Sequence, residues 1–292
     1  MRWVGRRGSS NVEDQRGSGS FGGFSGRSLG CGGTIGGLIL LLVFWLMGGN
    51  PLQLLNMLQT SDPGAGSGYT QEYVPSAQED SVAQFVSVVL ADTEDVWTSV
   101  FNQIGAEYRK PTLVLYTGAT SSPCGTANSS VGPFYCSVDE KIYLDLSFFQ
   151  EMSSRFHAGG DFAYAYVIAH EVGHHVQKLL GTLDKANNLM GQSGKAQANE
   201  ISVRLELQAD FYAGVWANHT ESMFQSLEPG DIDEALNAAS AIGDDRLQKQ
   251  AQGYVVPDSF THGTSKQRHD WFYKGYNTGD IRQGDTFSAD PL

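Results

Sequence analysis

Positive charge is scarce in this chain. Lysine and arginine together number 19 against 32 aspartates and glutamates, for a net charge of −13 over 292 residues. The shortage is uneven. Five arginines (Arg2, Arg6, Arg7, Arg16 and Arg27) against Glu13 and Asp14 leave residues 1–33 at +3, so residues 34–292 carry −16. A body this acidic repels phosphates, which argues against nucleic acid as a partner. Cysteine is also scarce, with three in the chain. Internal repeats are absent, which argues against a solenoid.

Charge of either sign is missing between Arg27 and Asp62. Within that gap Thr34–Met47 is continuously apolar, and with its glycine flanks it approaches the roughly 18–20 residues that cross a bilayer. A signal peptide would start nearer residue 1 and have a shorter basic region. We therefore expect a basic, disordered tail at residues 1–33, a transmembrane anchor at 34–50 and a Gly/Pro-containing linker at 51–78. The arginine-rich side should remain cytoplasmic. The chain would then be a single-pass inner-membrane protein with its main domain periplasmic or extracellular. Cys124 and Cys136 frame a Gly/Ser/Asn-rich loop and can close it as a disulfide in such a compartment, or stay as two buried thiols. Cys31 precedes the apolar run, so it is not a lipoprotein cleavage site.

The globular domain is expected over residues 79–280, with 40% of the whole chain hydrophobic. Val82–Leu90 and Val96–Ile104 read as two helices, with Asp92 or Thr93 capping the second. Thr112–Thr117 and Lys141–Leu146 read as strands, the latter entered through a turn at Asp139-Glu140. A strand beside a catalytic helix can hold an extended peptide on an exposed edge, or can simply be a core strand. Helical period returns over Gln197–Asn218. Asp231-Ile232-Asp233-Glu234 reads as a capping box. Trp271, Phe272 and Tyr276 are core candidates, and residues 281–292 read as a flexible tail.

The chemistry is concentrated in Ala169-His170-Glu171-Val172-Gly173-His174-His175. Phe162, Tyr166, Ala169, Val172, Gly173, Val176 and Leu180 recur at helical spacing. His170 and His174, four apart, aim two imidazoles at one point. Two neutral nitrogens suit zinc, and Glu171, about 100° round the helix, can take a proton from water beside it. A catalytic zinc needs a third protein ligand and an open position. Glu206 is the candidate ligand. Asp210, one turn on, would accept the remaining ring N–H of His170 and fix its tautomer. Ala209, Ala213 and Gly214 are small enough to let this helix lie close to the His170 helix. His175 points elsewhere and is structural, while His157, His219 and His269 lie in polar surroundings. His262 either donates to an oxyanion or anchors its own loop.

These segments resemble the bacterial family of putative neutral zinc metallopeptidases, membrane-anchored proteins with a His-Glu-x-x-His motif. The resemblance runs over nearly the whole chain. It takes in Met1-Arg2-Trp3, Gly5-Arg6-Arg7, Ser9–Asp14, Gly132–Cys136, Tyr143–Phe149, His170–Gln177, Glu206–Asp210, His262–Ser265 and Gln267-Arg268. Phe211 stands where many members are expected to carry cysteine. The Glu-x-x-x-Asp element is similar to that of gluzincins, in which a glutamate is the third zinc ligand. The resemblance implies an α+β, mainly helical metallopeptidase domain with a small β-sheet, tethered by one N-terminal transmembrane helix. It further implies one Zn²⁺ held by His170, His174 and Glu206, Glu171 as general base, and protein or peptide substrates. A scaffold protein that keeps the fold without cleaving is the alternative, and hydrolysis of a non-peptide amide is a third reading.

Overall fold

A computed structural model describes residues 1–17, 73–128 and 132–292. The expected anchor at 34–50, Cys31 and nearly all of the expected linker lie outside the described residues. Among the described residues no helix is long and apolar enough to cross a membrane. The strands are β1 (Val12–Asp14), β2 (Thr112–Tyr116), β3 (Ala119–Ser122), β4 (Gly125–Asn128), β5 (Phe134–Cys136) and β6 (Lys141–Asp145). The helices are α1 (Ala77–Gln103), α2 (Ser147–Ser154), α3 (Asp161–Leu179), α4 (Thr182–Gln192), α5 (Lys195–Phe224), α6 (Asp231–Ala241), α7 (Asp244–Gln252) and α8 (Ser265–Thr278). The α+β, mainly helical expectation holds.

The main sheet has the order β1-β2-β6-β5, with β1, β2 and β6 parallel and β5 antiparallel. Strands β2 and β6 are therefore interior, and β1 and β5 are the two edges among the described residues. Leu113 and Leu115 of β2, with Ile142 and Leu144 of β6, pack into the main core. Their alternates Val114, Tyr116 and Tyr143 form a second small cluster with Cys136. That two-sided burial explains the apolar character of both strands.

Helix α3 runs through the centre and is buried on nearly every side. It packs on α5, where Phe162 stacks on Trp216 with ring centroids 5.6 Å apart. Each fully buried side chain of this size stabilises the fold by about 1.5–3 kcal/mol. Gly173 sets the closeness of that packing. A Cβ there would stand 2.9 Å from the Ala209 carbonyl oxygen, too close for any substituent. Gly214 serves a different contact. A Cβ on it would meet the Phe272 oxygen of α8 at 2.0 Å. Of the small residues expected against the His170 helix, Ala209 meets Gly173, whereas Gly214 seats α8.

Four expectations need correction. The segment 77–103 is one helix, begun by a capping box between Ser76 and Glu79. Asp92 and Thr93 do not cap a second one. Asp92 is buried and takes both guanidinium nitrogens of Arg6 at 2.6 and 2.7 Å, and Thr93 donates to the Leu90 carbonyl. Residues 1–17 are not a loose tail, since β1 pairs with β2 and the Met1 side chain is buried in the core. Asp231 does not form a capping box either. Gly230 is the N-cap, and Asp231 accepts from the Met1 ammonium at 3.2 Å and from the Glu228 backbone N–H at 2.8 Å. Residues 281–292 are held down. Arg204 donates to the Thr286 and Ala289 carbonyls at 2.5 and 2.9 Å, and the Thr286 hydroxyl donates back to the Arg204 carbonyl at 2.6 Å.

Cys124 and Cys136 are joined. Mass spectrometry without reductant should find the linked peptide pair. Reduction should lower stability by about 3 kcal/mol, the value for closing a loop of roughly this length. Two free thiols in the oxidised protein would contradict the bond.

Candidate metal centre

Helix α3 contributes His170 and His174, one turn apart, and α5 contributes Glu206. One donor atom from each of the three lies within 4.8 Å of the others. His170 Nε2 is 3.2 Å from Glu206 Oε2, and His174 Nε2 is 3.5 Å from Glu206 Oε1. Ligands of a tetrahedral zinc at about 2.0–2.1 Å stand about 3.3 Å apart along the tetrahedron's edges. The donor set and its spacing therefore fit a zinc ion, and both histidines present the same ring nitrogen.

The other ring nitrogens are held. His170 Nδ1 lies 2.8 Å from Asp210 Oδ1, and His174 Nδ1 lies 2.9 Å from Gln177 Oε1. Each acceptor takes an N–H and leaves the Nε2 lone pair facing Glu206. Gln177 is itself oriented, because its amide nitrogen donates to the Leu205 carbonyl at 2.7 Å and to Gln208 Oε1 at 3.2 Å. Asp210 is fully buried and receives three further hydrogen bonds. Arg268 Nε donates to Oδ2 at 2.8 Å, Arg268 Nη2 to Oδ1 at 2.9 Å, and the Tyr166 hydroxyl to Oδ1 at 2.5 Å. Arg268 is 2% exposed. A buried carboxylate and a buried guanidinium thus neutralise each other behind the histidine.

The electrostatics follow from these contacts. Burial alone would raise Asp210, but Arg268 and His170 hold it below the usual carboxylate range. Burial would likewise raise Glu206, yet His174 and His170 hold it well below that range. For His170 burial acts downward, and Asp210 and Glu206 overcome it, pushing the metal-free imidazole up to about 10. A metal entering here must displace that proton, so affinity weakens as pH falls.

Glu171 is 8% exposed and lines the same cavity as His170, His174, Glu206 and His262. The cavity measures about 730 Å³. Phe148, Phe156, Leu183, Met190, Leu205 and Leu247 give it apolar walls, and Phe134 and Tyr135 of the edge strand β5 lie along it. His262 is half exposed at the rim. Its Nδ1 lies 3.3 Å from Asp244 Oδ1, and Asp244 Oδ2 accepts the backbone N–H groups of Thr261, His262 and Gly263 at 2.7, 2.6 and 3.0 Å. Asp244 therefore both builds the loop and orients the ring. The hydrogen bond to Asp244 raises the His262 pKa against the opposing effect of burial.

The sequence placed His170, Glu171, His174, Glu206, Asp210 and His262 in one constellation, and the fold brings all six to one cleft or its wall. His175 is buried outside it, with Nε2 2.6 Å from the Arg109 carbonyl and Nδ1 3.0 Å from the Tyr135 hydroxyl. It ties the metal-bearing helix to β5. His219 meets the Gly279 carbonyl at 2.9 Å, and His157 and His269 are not part of the cluster. Sequence reasoning did not assign partners to Gln177, Tyr166, Arg268 or Asp244. Only Gln177 and Tyr166 carried a local signal, at three residues after His174 and four before His170.

The fold and this centre define a mainly helical protein that gathers three potential metal ligands between two packed helices, with a further acidic side chain, Glu171, lining the same cleft. The chain belongs to the family described as "Putative neutral zinc metallopeptidase", which matches residues 1–287. Among its relatives is "Uncharacterized protein YpfJ" of Escherichia coli strain K12. It is 50% identical over 287 residues, 98% of this chain and 99% of that one. Another, "Uncharacterized protein Rv2575" of Mycobacterium tuberculosis strain H37Rv, is 45% identical over 219 residues, 72% of this chain and 73% of that one. No solved structure matches.

Proposed function

We propose that this protein is a zinc-dependent peptidase that hydrolyses peptide bonds with Glu171 as general base. The observation that carries the reading is the convergence of His170, His174 and Glu206 beside a carboxylate that is not one of the three donors. A site that only needed to hold metal has no chemical use for that carboxylate, which weighs against a silent scaffold. Zinc bound by the three residues supplies a Lewis acid that polarises the scissile carbonyl and lowers the pKa of water to about 7.

The remaining work falls to the chain. Glu171 takes the proton from the attacking water and passes it to the leaving amine. His262, turned by Asp244, donates to the developing oxyanion. An extended substrate can pair with the free edge of β5, and its apolar side chains fit the cleft walls. Zinc-loaded protein should cleave a proteome-derived peptide library and stop when a chelator is added. A library left intact by fully zinc-loaded protein would refute the reading.

Two variants probe the parts separately. Glu206→Ala should lose stoichiometric zinc, read by elemental analysis after dialysis, because two imidazoles do not complete the site. Full zinc retention would place the third ligand elsewhere. Asp244→Asn should move the alkaline limb of kcat/KM to lower pH. The cationic, donating form of His262 persists below its raised pKa and is lost above it. Removing the Asp244 charge lowers that pKa, so the donor disappears earlier as pH rises. An unchanged limb would remove His262 from the reaction.

A further inference from the structure

The N-terminal arginines suggest a cytoplasmic tail only if they are free, and the four among the described residues, Arg2, Arg6, Arg7 and Arg16, are all engaged with residues 73–292. Arg6 grips the buried Asp92 with two nitrogens, and Arg7 pairs with Asp95 at 2.8 Å. Arg16 bonds Asp14 at 2.7 Å and Asp80 at 3.0 Å, and Arg2 donates to the Leu227 carbonyl at 3.2 Å. The buried Glu94 accepts from the Ser9 hydroxyl and, at 2.8 Å, from Asn11, with Lys110 at 3.2 Å beside it. Trp3 donates to Asp161 at 2.9 Å, at the first turn of the helix that bears His170 and His174. Strand β1 adds three paired residues to the sheet.

The two ends of the segment 18–72 also sit together. Gly17 lies directly against Tyr73, so closely that a Cβ on the glycine would fall 2.3 Å from the tyrosine ring. A single membrane crossing would separate residues 1–17 from residues 73–292 by about 30 Å of hydrocarbon. It would also take Arg6 from Asp92, and Ser9 and Asn11 from Glu94, undoing the contacts these carboxylates make in the fold.

We infer that residues 1–17 are an integral part of the domain formed by residues 73–292 and lie in the same compartment, on the same side of any membrane. Arg6, Arg7 and Arg16 serve as counter-charges for Asp92, Asp95 and Asp80 of the first long helix. The Cys124–Cys136 bond assigns the shared compartment as an oxidising one. This inference is independent of the peptidase reading.

The test uses the full chain with Cys31→Ser, to which either Val4→Cys or Val138→Cys is added. Both positions are exposed, at 82% and 70%, and belong to the two parts in question. Intact spheroplasts are treated with a membrane-impermeant maleimide before and after permeabilisation. The two variants should label alike, with a ratio near one before and after. Labelling of one in intact spheroplasts and of the other only after permeabilisation would overturn the inference.

Discussion

Glu171→Gln is expected to keep zinc and lose hydrolysis by on the order of 10²–10⁴-fold, the range that a positioned general base contributes. That corresponds to about 2.7–5.5 kcal/mol of transition-state stabilisation. The substitution keeps the shape of a nearly buried side chain and removes only its basicity. The three donor atoms belong to other residues, so stoichiometric zinc should remain by elemental analysis while peptide cleavage disappears. Zinc loss in this variant would mean that Glu171 supports the site structurally. Retained cleavage would mean that the base is another group.

Arg268→Ala is expected to have the largest effect on stability. It strips the buried Asp210 of its two guanidinium contacts and leaves the carboxylate with His170 and Tyr166. Breaking a buried pair from one side costs about 3–5 kcal/mol. Zinc affinity should fall about 10–100-fold as the His170 ring loses its fixed support. Chemical denaturation and competition with a chromophoric chelator measure the two effects.

The pH dependence follows from the same contacts. Asp210 now sits below its unfolded value, so its contribution is present above that value and is lost as pH falls through the folded pKa. Without Arg268 the carboxylate loses the strongest influence holding it down, so this contribution shrinks and less stability is left to lose on acidification. Arg268→Lys should recover little, because one ammonium cannot span both carboxylate oxygens as the fork does. A variant as stable as wild type, with unchanged zinc affinity, would show that the pair supports neither fold nor metal.

What the sequence disclosed about the site was what helical spacing can disclose. His170 and His174 share a face because they are four apart, and so do Glu206 and Asp210. The long helices around them carry their own periodicity. The strand at 141–145 was legible from Ile142 and Leu144 alternating with Tyr143, and that at 112–116 as a short apolar run, the pattern of a strand buried on both faces.

Spacing says nothing about pairs made across the chain. Asp92 and Thr93 resemble a cap in a local window, yet Arg6 lies 86 residues away and converts Asp92 into a buried ion pair within a continuous helix. Asp231 resembles a capping residue and is instead occupied by the Met1 ammonium. Asp244, which orients His262, is 18 residues from it, at the start of a helix, while His262 stands in a loop. Gly214 is small for the sake of α8, a helix the local pattern could not place beside it. Each of these depends on which distant polar group arrives to satisfy a buried one, and that is a property of the assembled fold.

The centre itself is most directly tested by zinc K-edge X-ray absorption on the zinc-loaded protein. The predicted spectrum has two imidazoles and light oxygen donors at about 2.0–2.2 Å; Glu206→Ala should lose most of the bound-zinc signal together with its carboxylate oxygen, and His174→Ala should reduce the imidazole scattering. A first shell containing sulfur, or one unchanged by either substitution, would contradict a zinc held between α3 and α5.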